Sequence, residues 1–87
     1  MNDYTNNLLK KYKNDIKILN ISNKNIEGIL DLEQFNNSKE LNCSTNKITE
    51  IINIPNSLKY LNCCNNKIDS SLNLPDSITG IYCKKIR

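Results

Sequence analysis

Histidine and tryptophan are absent from this 87-residue chain, phenylalanine occurs once and glycine twice. Without histidine the chain lacks the side chain that most often serves as general base or metal ligand at neutral pH. Two glycines cannot build a glycine-rich loop around a phosphate group, and no serine or cysteine stands beside a base that would activate it. We therefore expect no catalytic residue, no cofactor and no metal site, and a protein that is not an enzyme.

Long apolar runs are also missing. No stretch approaches the roughly 18 residues that a membrane helix needs. The polar segment 1–14 lacks the basic end, apolar stretch and cleavage site of a signal peptide. We expect an intracellular protein with reduced thiols and no membrane partner. The net charge is only +3 and the lysines are scattered, which favours a solvated surface over a nucleic-acid groove, so no nucleic acid is expected.

What the chain does contain is an internal repeat. Its apolar fraction of 38% is low for a compact core at this length. Residues 38–57, SKELNCSTNKITEIINIPNS, nevertheless align without gaps with residues 58–77, LKYLNCCNNKIDSSLNLPDS, at a period of 20. A first unit with two extra residues near Phe35 precedes this second and third unit, and a fourth begins at Ile78. Residues 16–87 thus hold about three and a half units.

The shared pattern is L-x-x-L-x-C-x-x-N-x-I, carried by LKYLNCCNNKI and, with Ser38 at its first position, by SKELNCSTNKI. It resembles the leucine-rich repeats, which have leucine at the cysteine position. The continuations IINIPNSL and LNLPDSI are similar to the short 20-residue class known from bacterial effector proteins, with related repeats in protists and viruses. The first unit departs from the pattern, because Lys24 stands where asparagine is expected.

The resemblance implies a leucine-rich repeat solenoid with a short, curved parallel β-sheet on its concave side. Alternation within each unit predicts strands near residues 18, 40, 60 and 80, with leucine and cysteine pointing inward. Twenty residues per turn leave little room for a helix, and Pro55 and Pro75 disfavour one, so the convex returns are expected to be extended and non-helical.

Asn46 and Asn66 recur where the chain leaves the strand and turns inward. An amide side chain both donates and accepts hydrogen bonds, so stacked asparagines can satisfy backbone groups that have no partner in the sheet. We expect these two side chains to be structural, not catalytic.

Residues 1–15 are expected to form a helical segment that caps the open end of the solenoid. Asp3 or Thr5 is a candidate N-cap. Apolar side chains follow at helical spacing: Tyr4, Leu8, Leu9 and Tyr12. A helix that binds a partner is the alternative interpretation.

The cysteines invite two interpretations. Cys43, Cys63 and Cys83 share one inward position at a period of 20, which favours packing in the core. Cys64 is the outward neighbour of Cys63, and the four thiols are expected to be unpaired with Cys64 the most reactive. Metal or redox work is the alternative, but the zinc spacing C-x-x-C is absent.

The function that follows is a non-enzymatic module that binds a protein, since leucine-rich repeats as a family mostly bind proteins through the concave sheet. Tyrosine is favoured at interfaces because it is large and apolar with a polar tip. The candidate partner-binding residues are outward-facing: Glu40, Asn42, Tyr60, Asn62 and Tyr82. The neighbouring row Lys17, Lys39 and Lys59 is expected to steer an acidic partner.

Two further expectations concern the chain as a whole. An alternative function is that it is a truncated or duplicated piece of a longer repeat protein or effector, without independent activity. The open C-terminal end, with Ile78, Ile81 and Cys83, is expected to promote self-association.

Overall fold

The computed structural model describes residues 1–69 and 71–82. They form a small β-rich solenoid of about three turns with parallel strands and one N-terminal helix. The elements in chain order are α1 (Asp3–Leu9), β1 (Ile18–Asn20), β2 (Glu27–Asp31), a 3-10 helix (Glu33–Phe35), β3 (Glu40–Asn42), β4 (Lys47–Ile52), β5 (Tyr60–Asn62) and β6 (Gly80–Tyr82).

The main sheet has four parallel strands in the order β1-β3-β5-β6. Its register follows the repeat: Leu41 pairs with Leu19 on one side and with Leu61 on the other. The four strands begin at the positions that the period predicts, so this part of the prediction is confirmed.

The core lies behind this sheet and is formed by side chains at matching positions of successive units. Leu41 and Leu61 are buried, and so are Cys43 and Cys63, whereas the residues between them face outward. This alternation confirms the predicted inward positions. The space between Phe35, Leu58 and their neighbours holds no room for water, so stacking of units produces a dry core from a modest apolar content.

The returns form a second, two-stranded parallel sheet, β2-β4, which sequence reasoning missed. No α-helix occurs over residues 48–58 or over the described part of 68–78, as predicted. The expectation of wholly non-helical returns is wrong at Glu33–Phe35, where a 3-10 helix takes up the two extra residues of the first unit. Asp31 supports that helix by accepting from the backbone N–H of Glu33 at 3.0 Å.

The two repeated asparagines connect each unit to the one before it. Asn46 Oδ1 accepts from the N–H groups of Lys24 (3.1 Å) and Ile26 (2.9 Å), and its Nδ2 donates to the carbonyl of Ile21 at 3.0 Å. Asn66 repeats the arrangement: its Oδ1 accepts from Ile48 N–H at 2.9 Å. The predicted structural role is confirmed, and Asn46 also completes the first turn, which has Lys24 in place of asparagine.

The serine of the P-x-S segment is the last residue of its unit and bonds back to the first residue of the same unit, one turn of the solenoid earlier. The Ser57 hydroxyl donates to the carbonyl of Ser38 at 2.6 Å, and the Ser77 hydroxyl donates to the carbonyl of Leu58 at 2.6 Å. The repeated serine thus satisfies a backbone carbonyl of the preceding turn.

One backbone position adopts the left-handed conformation in each of the three units. It is the residue just before the turn asparagine or its counterpart: Asn23 (φ 53°), Thr45 (φ 56°) and Asn65 (φ 55°). Asparagine tolerates this region, whereas a β-branched residue there is strained. The second unit therefore contains a local conflict that its two neighbours avoid.

Helix α1 begins one residue earlier than expected, because Asn2 is its N-cap: the Asn2 side chain accepts from Thr5 N–H at 2.8 Å. The expected caps, Asp3 and Thr5, are therefore wrong, and the helix ends at Leu9 rather than near Tyr12. Competition among neighbouring capping residues hid this boundary from sequence reasoning.

The helix packs on the first unit. Leu9 is fully buried, the Tyr4 hydroxyl donates to the carbonyl of Lys24, and the Gln34 side-chain amide donates to the carbonyl of Leu9 at 3.1 Å. These contacts lie where a segment covering the open end of the stack would make them.

The last described unit is less covered than the others. Ile78 and Ile81 are half-buried, whereas Leu58 and Leu61 at the matching positions are fully buried. Cys83, the third residue of the expected C-terminal surface and of the inward cysteine row, lies outside the described residues. Self-association through this end stays a prediction.

Candidate binding groove on the four-stranded sheet

The outer face of the four-stranded sheet carries two rows of side chains, because residues at the first and third position of each strand face away from the core. In register, the first row is Ile18, Glu40, Tyr60 and Gly80, and the second row is Asn20, Asn42, Asn62 and Tyr82. Parallel strands lie about 4.8 Å apart. Neighbours within a row are therefore close enough to contact one ligand.

A shallow groove of about 270 Å³ runs across these rows. All five residues predicted as the candidate site line it. Within the described part of the chain, its lining is Ile18, Leu19, Asn20, Glu40, Leu41, Asn42, Tyr60, Asn62 and Tyr82.

Ile18 and Asn20 also line the groove but do not belong to the predicted site. Ile18 is 62% exposed, the largest value among the exposed large apolar residues in the described part of the chain. The period of the repeat was the signal that could have added both residues, since they precede Glu40 and Asn42 in register.

The ring of Tyr60 lies against the backbone of Gly80. A Cβ atom at position 80 would be 2.7 Å from Tyr60 Cδ1 and 3.0 Å from Cε1, closer than side chains tolerate. Glycine at this position lets the ring lie over β6, the strand that also carries Tyr82. Tyr60 and Tyr82 remain 44% and 60% exposed, so both keep a surface that a ligand can contact.

The asparagines of the groove are held in place by local hydrogen bonds that sequence reasoning did not foresee. Asn42 Oδ1 accepts from the N–H (3.1 Å) and the hydroxyl (2.7 Å) of Ser44, and Asn62 Oδ1 accepts from Cys64 N–H at 3.1 Å. These contacts are Asx-turns, in which the side chain is held by hydrogen bonds to the backbone two residues later. Each oxygen thus accepts at least one local hydrogen bond, and the N–H₂ group of the same amide can donate to a ligand.

The predicted lysine row lies beside the groove and not in it. Lys17, Lys39 and Lys59 are exposed and do not belong to the groove lining. Their backbones are joined in series, since Lys39 N–H donates to the Lys17 carbonyl at 2.7 Å and Lys59 N–H to the Lys39 carbonyl at 2.8 Å. The lysines thus form a positively charged rim along one side of the sheet.

The cysteines do not form a reactive site of the expected kind. Burial, followed by the charge of Cys63, raises the pKa of Cys43 to about 12, and burial also raises the pKa of Cys63. The expectation that Cys64 is an unpaired, reactive thiol is wrong, because Cys64 is disulfide-bonded. Among residues 1–69 and 71–82, no group of three or more His, Cys, Asp or Glu side chains could hold a metal ion.

Within the described residues, no helix is both long enough and apolar enough to cross a membrane. Comparison with known proteins found no matching family model, no similar curated protein and no similar solved structure. Functional interpretation therefore depends on the groove and the repeat.

Proposed function

We propose that this chain is a leucine-rich repeat protein that binds a protein partner through the groove, without enzymatic activity of its own. The parallel strands at a period of 20 residues, the inward leucine and cysteine positions and the asparagine at each turn support the family assignment.

The observation that carries the binding proposal is the composition of the groove. Two exposed tyrosines, an exposed isoleucine and aligned amide donors occupy one continuous surface. Tyrosine supplies large apolar contact area at a low entropic cost and also a hydroxyl, which is why it is common among the residues that dominate protein interfaces. A solvated surface with no function would not need such a concentration of apolar area.

The test is affinity capture of partners from the source cell with the wild-type chain as bait, followed by binding measurements on variants. Tyr60→Ala and Tyr82→Ala should each weaken binding of a captured partner by about 1 kcal/mol or more, while the unfolding free energy changes little. Retained affinity in both variants would contradict the proposal.

Two isoleucines offer a matched control. Ile18 lines the groove, and Ile29 lies on β2 of the other sheet with 40% of its surface exposed. Ile18→Ala should weaken binding and Ile29→Ala should not, although both remove the same apolar group from an exposed strand position. Equal effects would indicate non-specific apolar contact.

A further inference from the structure

We propose that the groove binds one basic side chain of the partner, an arginine or a lysine, against the rings of Tyr60 and Tyr82, with Glu40 as its counter-charge. This inference names the chemistry of the partner and rests on the proposed function of the same groove.

The charge of the lining is the first argument. Among the nine lining residues that the structure describes, Glu40 is the only charged one. It pairs in register with Tyr60 on the next strand, about 4.8 Å away. A carboxylate beside an aromatic ring, in a groove whose described lining includes no lysine or arginine, is complementary to a positively charged ligand.

The aromatic residues supply the second argument. Tyr60 leans over Gly80, and Tyr82 follows Gly80 by two residues on the same face, about 6.6 Å along the strand. A cation within about 6 Å of a ring centroid is attracted by the face of the ring. A guanidinium group stacked on the exposed side of the Tyr60 ring, which itself covers Gly80, would lie within reach of Tyr82 as well. Arginine suits this place best because its planar group also stacks on aromatic rings.

The side-chain amides of Asn42 and Asn62 favour a particular backbone on either side of the basic residue of the partner. Asn42 and Asn62 line the groove and their oxygens accept local hydrogen bonds, which leaves their N–H₂ groups as donors for a ligand. Backbone carbonyls of an extended segment are the matching acceptors. The groove can thus bind the main chain of the partner on one side of the basic residue.

The lysine rim limits the number of basic residues in the partner. Lys17, Lys39 and Lys59 flank the groove and repel a strongly basic segment. The fitting partner is a segment with one basic residue among neutral or acidic neighbours. The lysine rim repels any further basic residues of the partner, and the groove binds the single basic residue.

The test uses isotope-labelled protein and three blocked pentapeptides, Gly-Ser-X-Ser-Gly, in which X is arginine, citrulline or glutamate. Citrulline keeps the shape of arginine and lacks its charge. At millimolar concentration the arginine peptide should shift the amide signals of Tyr60 and Tyr82 and the side-chain amides of Asn42 and Asn62. The citrulline peptide should bind at least about fivefold more weakly, as the loss of a charged contact with an exposed ring and carboxylate implies.

Charge variants complete the test. Glu40→Gln should abolish the preference for arginine over citrulline, whereas Glu27→Gln, the same change on an exposed residue of β2, should leave it intact. Equal binding of arginine and citrulline, an unaltered preference in Glu40→Gln, preferred binding of the glutamate peptide, or no shift with any peptide would each overturn the assignment of a basic ligand.

Failure of this inference can be distinguished from failure of the proposed function. A captured partner that loses affinity for Tyr60→Ala but binds Glu40→Gln as well as wild type would overturn the basic ligand and leave protein binding in place. A partner that is unaffected by both changes would overturn both.

Discussion

Tyr60 and Gly80 are register partners on β5 and β6, and the Tyr60 ring occupies the space where any other residue at position 80 would place its Cβ atom. The orientation of one groove residue is therefore determined by the absence of a side chain at another. This glycine is required for a close approach between a ring and a backbone, since its φ is not in the left-handed region.

Gly80→Ala should displace the Tyr60 ring and weaken partner binding by about 1 kcal/mol, the cost of losing a well-placed interface tyrosine. The ring-proton shifts of Tyr60 and the affinity for a captured partner measure the two effects. The control is the same substitution in a Tyr60→Ala background, where it should change affinity little because the ring is no longer present. An equal loss in both backgrounds would show that Gly80 acts independently of Tyr60.

Thr45→Asn should stabilise the protein by about 0.5 to 1 kcal/mol, because it places at a left-handed position the residue type found at Asn23 and Asn65. The midpoint of urea unfolding measures the change. Thr49→Asn is the control: Thr49 lies in β4, where asparagine is disfavoured, so no gain is expected. A lower midpoint for Thr45→Asn would mean that the threonine makes a compensating contact.

Asn46→Leu should lower the unfolding free energy by about 3 kcal/mol or more. It leaves two backbone N–H groups, of Lys24 and Ile26, and three carbonyls without the partner that Asn46 provides. Asn37→Leu, at an exposed position, is the control and should change stability by less than about 0.5 kcal/mol. A loss of stability for Asn46→Leu as small as that for Asn37→Leu would show that water replaces the Asn46 side chain without cost.

Because the Cys43 thiol is buried, we expect the folded protein to lose stability in alkaline solution. Its pKa rises from the ordinary 9.0 to about 12 in the folded protein. Below pH 9 the thiol is protonated in both states and its contribution is constant. Between these two pKa values the unfolded chain releases this proton and the folded one keeps it, so stability falls by about 1.4 kcal/mol per pH unit.

The measurement is the difference in unfolding free energy between the wild type and Cys43→Ala across this pH range. The variant lacks the thiol, so its stability should fall less steeply than that of the wild type although it starts lower because of the cavity. Parallel curves would show that Cys43 does not titrate during unfolding.

Cys64 should resist alkylation in the non-reduced protein and react after treatment with a thiol reductant, since a disulfide sulfur is not a nucleophile. Peptide mapping by mass spectrometry after iodoacetamide labelling, with and without reductant, checks this. Cys43 is the internal reference: it should react only after the protein is unfolded, because it is fully buried. Labelling of Cys64 before reduction would contradict the disulfide.

Features that depend on the repeat itself could be predicted from the sequence. The four strands, the inward cysteine positions and the roles of Asn46 and Asn66 all follow from residues that recur at one period, and repetition makes each assignment support the others. The five predicted groove residues belong to the same group, because alternation within a strand decides which side chains face outward.

Features that depend on a single contact could not be predicted in this way. The pairing of β2 with β4 requires two irregular returns to lie side by side, and the left-handed Thr45 contradicts its own local preference. The choice of Asn2 as N-cap is a competition between adjacent capping residues. The Tyr60 ring packs on Gly80, and no sequence pattern predicts this contact because the two residues lie far apart in the chain.

The side-chain hydrogen bonds that Asn46 and Asn66 form with other units all run in one direction along the stack. Each reaches back to the preceding unit, and Ser57 and Ser77 reach back to the first residue of their own unit, so each turn of residues 16–77 that these side chains bond to is completed by chain that follows it. Opening of the third unit therefore exposes the amide of Ile48, while that of Ile26 stays protected until Asn46 also leaves. Amide hydrogen exchange should then follow a gradient along the stack, with unravelling that advances towards the helix and not away from it.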